Sequence, residues 1–194
     1  NLENLNPSLY PEQHRKIAEQ IVGVMDSPDM LALQEILDDN GVLDSGETSA
    51  DENISFLIKE IQDLGGPAYR VMTVDPINNS DGGVRGGNIR SVILYRSDTG
   101  LAPMPGMLGT ALDDSELRDA NQTQMFNLNP ARIGNQLSAF RASRKPVLAG
   151  FVYKGEPVIV ISVHLKSKYE DGPLFGDQQP PPEPTAIQRQ VQAQ

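Results

Sequence analysis

Met30-Leu31-Ala32-Leu33-Gln34-Glu35 is the stretch on which the fold turns. Four apolar residues in succession, ended by a polar pair, read as a short buried strand of the kind found in helix-covered sheets. Glu35 then emerges at the rim of a sheet, where open α/β folds place their ligands. A carboxylate held there is a hard oxygen donor suited to Mg²⁺. On spacing alone, a solvated rim glutamate or a helix-entry residue is the commoner occurrence.

Outward from this strand, helical periodicity appears on both sides. Between Glu12 and Met25 the residues Ile17, Ala18, Ile21, Val22 and Met25 recur at helical spacing, with Pro11 suited to the first turn. His14, on the polar side of that pattern, reads as a solvated side chain. A second amphipathic helix is predicted from Asp51 to Leu64, with Ile54, Leu57, Ile58, Ile61 and Leu64 on one face and Gly65-Gly66-Pro67 as its stop. The Asp-, Gly- and Ser-rich run from Asp38 to Ala50 is a loop. Strands are predicted at Tyr69 to Val74 and Ile89 to Tyr95, joined by the turn-rich Asn78 to Gly83.

Residues 97 to 144 carry few periodic hydrophobes, and a structureless stretch of that length points to a functional insertion. Two further strands follow, Pro146 to Tyr153 and Pro157 to Leu165, joined tightly across Lys154-Gly155-Glu156. Pro180-Pro181-Pro182 marks an extended, exposed segment, and Thr185 is placed to cap a final helix. Helices early and hairpin strands late give a mixed α/β class with helix-covered sheets.

Composition removes several chemistries. The 194 residues contain no cysteine, which excludes disulfides, zinc–thiolate sites and thiol nucleophiles. With no Trp and 5% aromatic residues, the core must be largely aliphatic. Sixteen Lys and Arg against 26 Asp and Glu give a net charge of −10. Gripping nucleic acid by overall charge requires a basic chain, so a nucleic-acid role here needs a metal or a local cationic patch. No apolar run reaches the roughly 18 residues of a membrane span.

His164 is the second chemical signal. In Val158-Ile159-Val160-Ile161-Ser162-Val163-His164-Leu165, alternation puts it on one face with Ser162, at the polar end of an apolar strand. A histidine there is suited to stabilising or protonating a phosphoryl oxygen; a hydrogen-bonded structural histidine fits equally well. Pairing of the two late strands would gather Arg144, Lys145, Lys166 and Lys168 as phosphate contacts, although each alone is an ordinary surface charge. The stretch Gly82-Gly83-Val84-Arg85-Gly86-Gly87 has neither P-loop nor dinucleotide spacing and leads into a strand, so it counts for little as a phosphate cradle.

The order of four motifs resembles the endonuclease/exonuclease/phosphatase superfamily, the deoxyribonuclease-like fold, and within it the bacterial extracellular nuclease-like branch. They are Asn1-Leu2-Glu3-Asn4-Leu5, then Leu31-Ala32-Leu33-Gln34-Glu35-Ile36, then Gly87-Asn88-Ile89-Arg90 running into Leu94-Tyr95-Arg96, and finally Val163-His164-Leu165-Lys166-Ser167-Lys168. The resemblance implies an α/β four-layer sandwich of two mixed sheets flanked by helices. It implies Glu35 as a ligand of catalytic Mg²⁺ (with Mn²⁺ or Ca²⁺ possible) and Glu3 as a second acidic group near the metal. Asn1 falls at the scissile-phosphate site, His164 acts on the phosphate, and Asn88, Arg144 and Lys166 approach substrate. The implied partner is nucleic acid or another phosphodiester, and the branch favours a secreted protein. The family continues with Asp-x-Asn and Asp-His motifs absent from these residues. The chain is accordingly expected to be the N-terminal part of a single such domain, incomplete at both ends and catalytically silent alone. Two other functions fit the same sequence: a phosphatase or lipid phosphodiesterase of this fold, and a non-catalytic binding domain that keeps the fold without the chemistry.

Overall fold

A computed structural model of the protein describes residues 1–116 and 126–194. Part of the stretch from 97 to 144 therefore lies outside the described residues.

The first helical pattern becomes the α-helix α1 (Gln13–Glu19), which widens into a π turn over Gln20–Val24. The predicted strand forms β1 (Met30–Ile36), and the second amphipathic pattern forms α2 (Asp51–Asp63). Asp51 and Glu52 lie in the first turn of α2, where the helix dipole favours acidic groups. At its other end the Gly65 and Gly66 amides bond back to the Gln62 and Ile61 carbonyls, the pairing of a Schellman stop. His14 is the correction in this layer. It is fully buried, its Nε2 lies 2.7 Å from Asn53 Oδ1, and its ring packs 4.9 Å from that of Phe56. A lone polar residue on an otherwise polar helix face was the wrong guide, because α2 covers that face.

With β2 (Tyr69–Met72) and β3 (Arg90–Arg96), β1 makes an antiparallel sheet ordered β1-β3-β2. The buried strand β3 runs through its centre. A second sheet is built on β6 (Val147–Tyr153) and β7 (Glu156–Ser162), paired antiparallel along their full length. Lys154 and Gly155 both take positive φ between them, the two-residue primed turn whose twist matches the strands. The other edge of β6 receives β4 (Leu101–Pro103) near its end and β5 (Ala131–Arg132) near its start. The illegible stretch thus supplies two short strands of the second sheet. Side-chain bonds replace missing ladder there: Asn129 donates to the carbonyls of Met104 and Gly150 and accepts from the Gly150 amide.

Three layers follow. Leu31, Leu33, Ile36, Val92 and Leu94 pack one face of the first sheet against Ala18, Ile54, Leu57 and Ile61 of the helices. The other face meets the second sheet through Met72, Ile93 and Tyr95 against Val147, Ala149 and Phe151. The class is mixed α/β, with two sheets stacked face to face and helices on the outer side of one. No helix among the described residues is long and apolar enough to cross a membrane.

Candidate active site at the sheet rim

Regular alternation would put Glu35 on the same face as Leu31 and Leu33, inside the helix-covered core. The sheet avoids this with a bulge. Gln34 opposes Ser91 and Ile36 opposes Arg90, which leaves Glu35 without a partner across the ladder, and its φ of +64° lies in the left-handed region. Such a backbone is costly for a side chain other than Gly, and bulges recur where a side chain must be re-aimed. The result is that Ile36 enters the core in its place and the carboxylate stands, 20% exposed, at the rim.

Two segments distant in sequence meet it there. Asn1 Nδ2 donates to Glu35 Oε1 at 2.8 Å, while Asn1 Oδ1 accepts from the Glu3 amide at 3.0 Å. His164 lies just past the end of β7 rather than within it, and its Nε2 is 3.5 Å from the same Oε1. Gln34 Nε2 bonds to the carbonyl of Val163 at 2.8 Å, tying the bulged end of β1 to the residue before the histidine. Beyond them a cleft of about 550 Å³ is lined by Glu35, His164, Arg144 and Lys166, with Gly82 and Gly83 also in its wall. A Cβ on Gly82 would come 2.6 Å from the Ala142 carbonyl, so the backbone reaches the cleft wall only because the residue is Gly. The glycine-rich run has a place in the cleft wall that its spacing did not reveal.

Burial, and then the neighbouring Arg144, pushes the His164 imidazole down to about 4, against an opposing pull from Glu35. At neutral pH the ring is uncharged. Of the two roles its sequence position suggests, stabilising or protonating a phosphoryl oxygen, the uncharged ring suits the first, by hydrogen-bond donation. Its Nδ1 is buried without a partner among the described residues, as is Arg144 Nε. Arg144 Nη2 donates to the Leu165 carbonyl at 2.5 Å, holding the guanidinium beside the histidine loop.

Not every predicted site residue arrives. Asn88 is buried away from the cleft. Its amide donates to Asp38 Oδ2 at 2.9 Å and the Glu47 carbonyl at 2.6 Å, and its Oδ1 accepts from the Asn79 amide. It ties loops together and leaves nothing for substrate. Arg90 beside it is likewise a buried hub, bonded to Asp75 and to the Thr48 carbonyl. Glu3 is exposed and lines a separate, neighbouring depression with Asn1, Gln13 and Glu35. Lys145 turns inward to Asp81, and Lys168 stands exposed outside the cleft lining. Asn4, at the cleft, went unnoticed in the sequence because a lone Asn in an Asn-rich opening carries no signal.

The residues fit a Mg²⁺ held lightly. Among the described residues no group of three or more His, Asp or Glu donors gathers, so an all-protein cage is not what this rim offers. Magnesium commonly keeps several waters and takes one or two carboxylates. Glu35 Oε2 has no partner among the described residues, while Oε1 is fixed by Asn1.

No family model matches the chain, and no curated protein or solved structure gives a significant match.

Proposed function

We propose that the protein is a metal-dependent phosphodiester hydrolase acting as a nuclease on DNA or RNA. One observation carries this reading: a carboxylate re-aimed by a bulge is held by Asn1 and lines a single cleft together with His164 and Arg144. A carboxylate to hold a cation, next to donors for anionic oxygens, is what a phosphodiester demands of its site. On this reading Glu35 holds Mg²⁺, with Mn²⁺ or Ca²⁺ as substitutes, and Asn1 orients the carboxylate. When bound, the ion would offset negative charge on a phosphate oxygen. His164, neutral, donates a hydrogen bond to the oxyanion that develops, and Arg144 and Lys166 hold flanking phosphate charge. The stacked sheets with their helix layer would then belong to a four-layer sandwich of two mixed sheets flanked by helices, as in the endonuclease/exonuclease/phosphatase superfamily.

The test is hydrolysis of DNA, RNA and bis(p-nitrophenyl) phosphate with Mg²⁺, beside a phosphomonoester and sphingomyelin. In the full-length protein, cleavage of nucleic acid that stops with EDTA and in Glu35→Gln is expected. Undiminished turnover in Glu35→Gln with metal still bound would overturn the assignment. Preference for the monoester or the lipid would move the function to a phosphatase or lipid phosphodiesterase.

A further inference from the structure

Of the ten Phe and Tyr side chains, the two most exposed occupy one short loop: Tyr169 at 93% and Phe175 at 92%. Single exposed hydrophobes are commonplace. Tyr169 differs because it lines the cleft that also holds Arg144 and Lys166. The loop backbone is anchored on both sides of the ring. Gln192 of the helix α3 (Ala186–Gln192) accepts from the Lys166 amide at 2.7 Å, and Ser167 Oγ accepts from the Tyr169 amide at 3.1 Å. Beyond it, Asp171 accepts from Thr185 Oγ1 at 2.8 Å and pairs with Arg189 at 2.8 Å. Thr185 is therefore held by Asp171 and makes no side-chain cap on α3. A braced backbone under a free aromatic ring is a preformed contact that loses little entropy on binding.

Resting on the phosphodiester reading of the cleft, we propose that Tyr169 is a stacking platform and that the substrate is single-stranded nucleic acid. Stacking on aromatic rings requires unpaired bases, whose faces a duplex keeps hidden. The charges agree. Arg144 and Lys166 line the cleft with the ring, as cations for the phosphates flanking a stacked base, while the net charge of −10 opposes an extended backbone grip on any nucleic acid and leaves local contacts to supply the affinity. Lys166 is only loosely engaged, 3.9 Å from the exposed Glu170, and such pairs contribute little, so its ammonium is available to phosphate. The acidic Glu170, Asp177 and Glu183 on the same segment argue against an anionic lipid surface as the occupant.

The test separates binding from hydrolysis. In EDTA, fluorescence titration of a labelled dT oligomer should show the protein binding it more tightly than a duplex of equal length. Tyr169→Ala should weaken oligomer binding about 10-fold or more, and Tyr169→Phe should retain it. Because the ring is almost wholly in solvent, melting should be unchanged in both variants. Equal affinity for the duplex, or oligomer binding insensitive to Tyr169→Ala, would overturn the proposal. Association with phosphatidylcholine vesicles that Tyr169→Ala abolishes, with oligomer binding left intact, would also overturn it. Failure of hydrolysis alone would count against the phosphodiester reading and leave this binding result standing.

Discussion

Two carboxylates flank Arg144 and are treated in opposite ways. Asp81 is 3% exposed and fully neutralised: Arg132 Nη2 and Lys145 Nζ each lie 2.7 Å away, and Ser80 donates to it as well. Glu35 stands at the rim, with one oxygen fixed by an amide and the other unpartnered among the described residues. Both groups bear on the Arg144 charge, opposing the downward push of burial on it. The difference teaches how to tell a structural acid from a functional one. A buried acid with matched cations has no valence left for a ligand, whereas one held at a rim by a strained bulge keeps a lone pair free.

The largest expected effect breaks the buried member. Asp81→Asn leaves Arg132 and Lys145 uncompensated inside the protein, so unfolding in denaturant should show a loss of roughly 3–5 kcal/mol. Glu35→Gln under the same conditions should shift stability by less than about 1 kcal/mol. Similar losses in both variants would erase the distinction.

On the rim side, His164→Ala in the full-length protein should lower the rate of nucleic-acid cleavage on the order of 10²-fold with little change in melting temperature. A large stability loss with near-normal specific activity would make His164 a structural residue.

The same side chain sets a pH dependence. Its folded-state value of about 4 lies below the unfolded 6.5, so between these limits the unfolded chain binds more protons. Stability should fall by roughly 1–3 kcal/mol as pH drops from 6.5 toward 4 and change no further from this group below that. His164→Ala should flatten this part of a stability–pH curve. An unchanged slope would place the ring in a better-solvated setting than its burial implies.

Asn88 provides the smallest test. Asn88→Ala removes the ties to Asp38 and Glu47, and about 1–2 kcal/mol of stability should go with them. Its KM for nucleic acid should not move; a rise in KM at full stability would return Asn88 to the substrate.

What the sequence determined by itself lies within short windows. The amphipathic run of α2 with its glycine stop, the apolar runs of β1 and β7, and the Lys154-Gly155 turn each encode their backbone within a few residues. Glu35 and His164 were visible as candidates because each is a polar interruption of an apolar strand. Their function was not, since one residue type at one position has several ordinary uses. Tertiary structure alone decided the rest. Asp81 meets Lys145 across 64 residues, Gln34 meets Val163 across 129, and His14 is buried by Asn53 39 residues on. Asn129 stands in for ladder bonds in a stretch with no periodicity to read. Whether a polar group ends in solvent, in a bond or in a cleft depends on which distant segment covers it. That is settled only when the sheets close and buried donors and acceptors compete for partners.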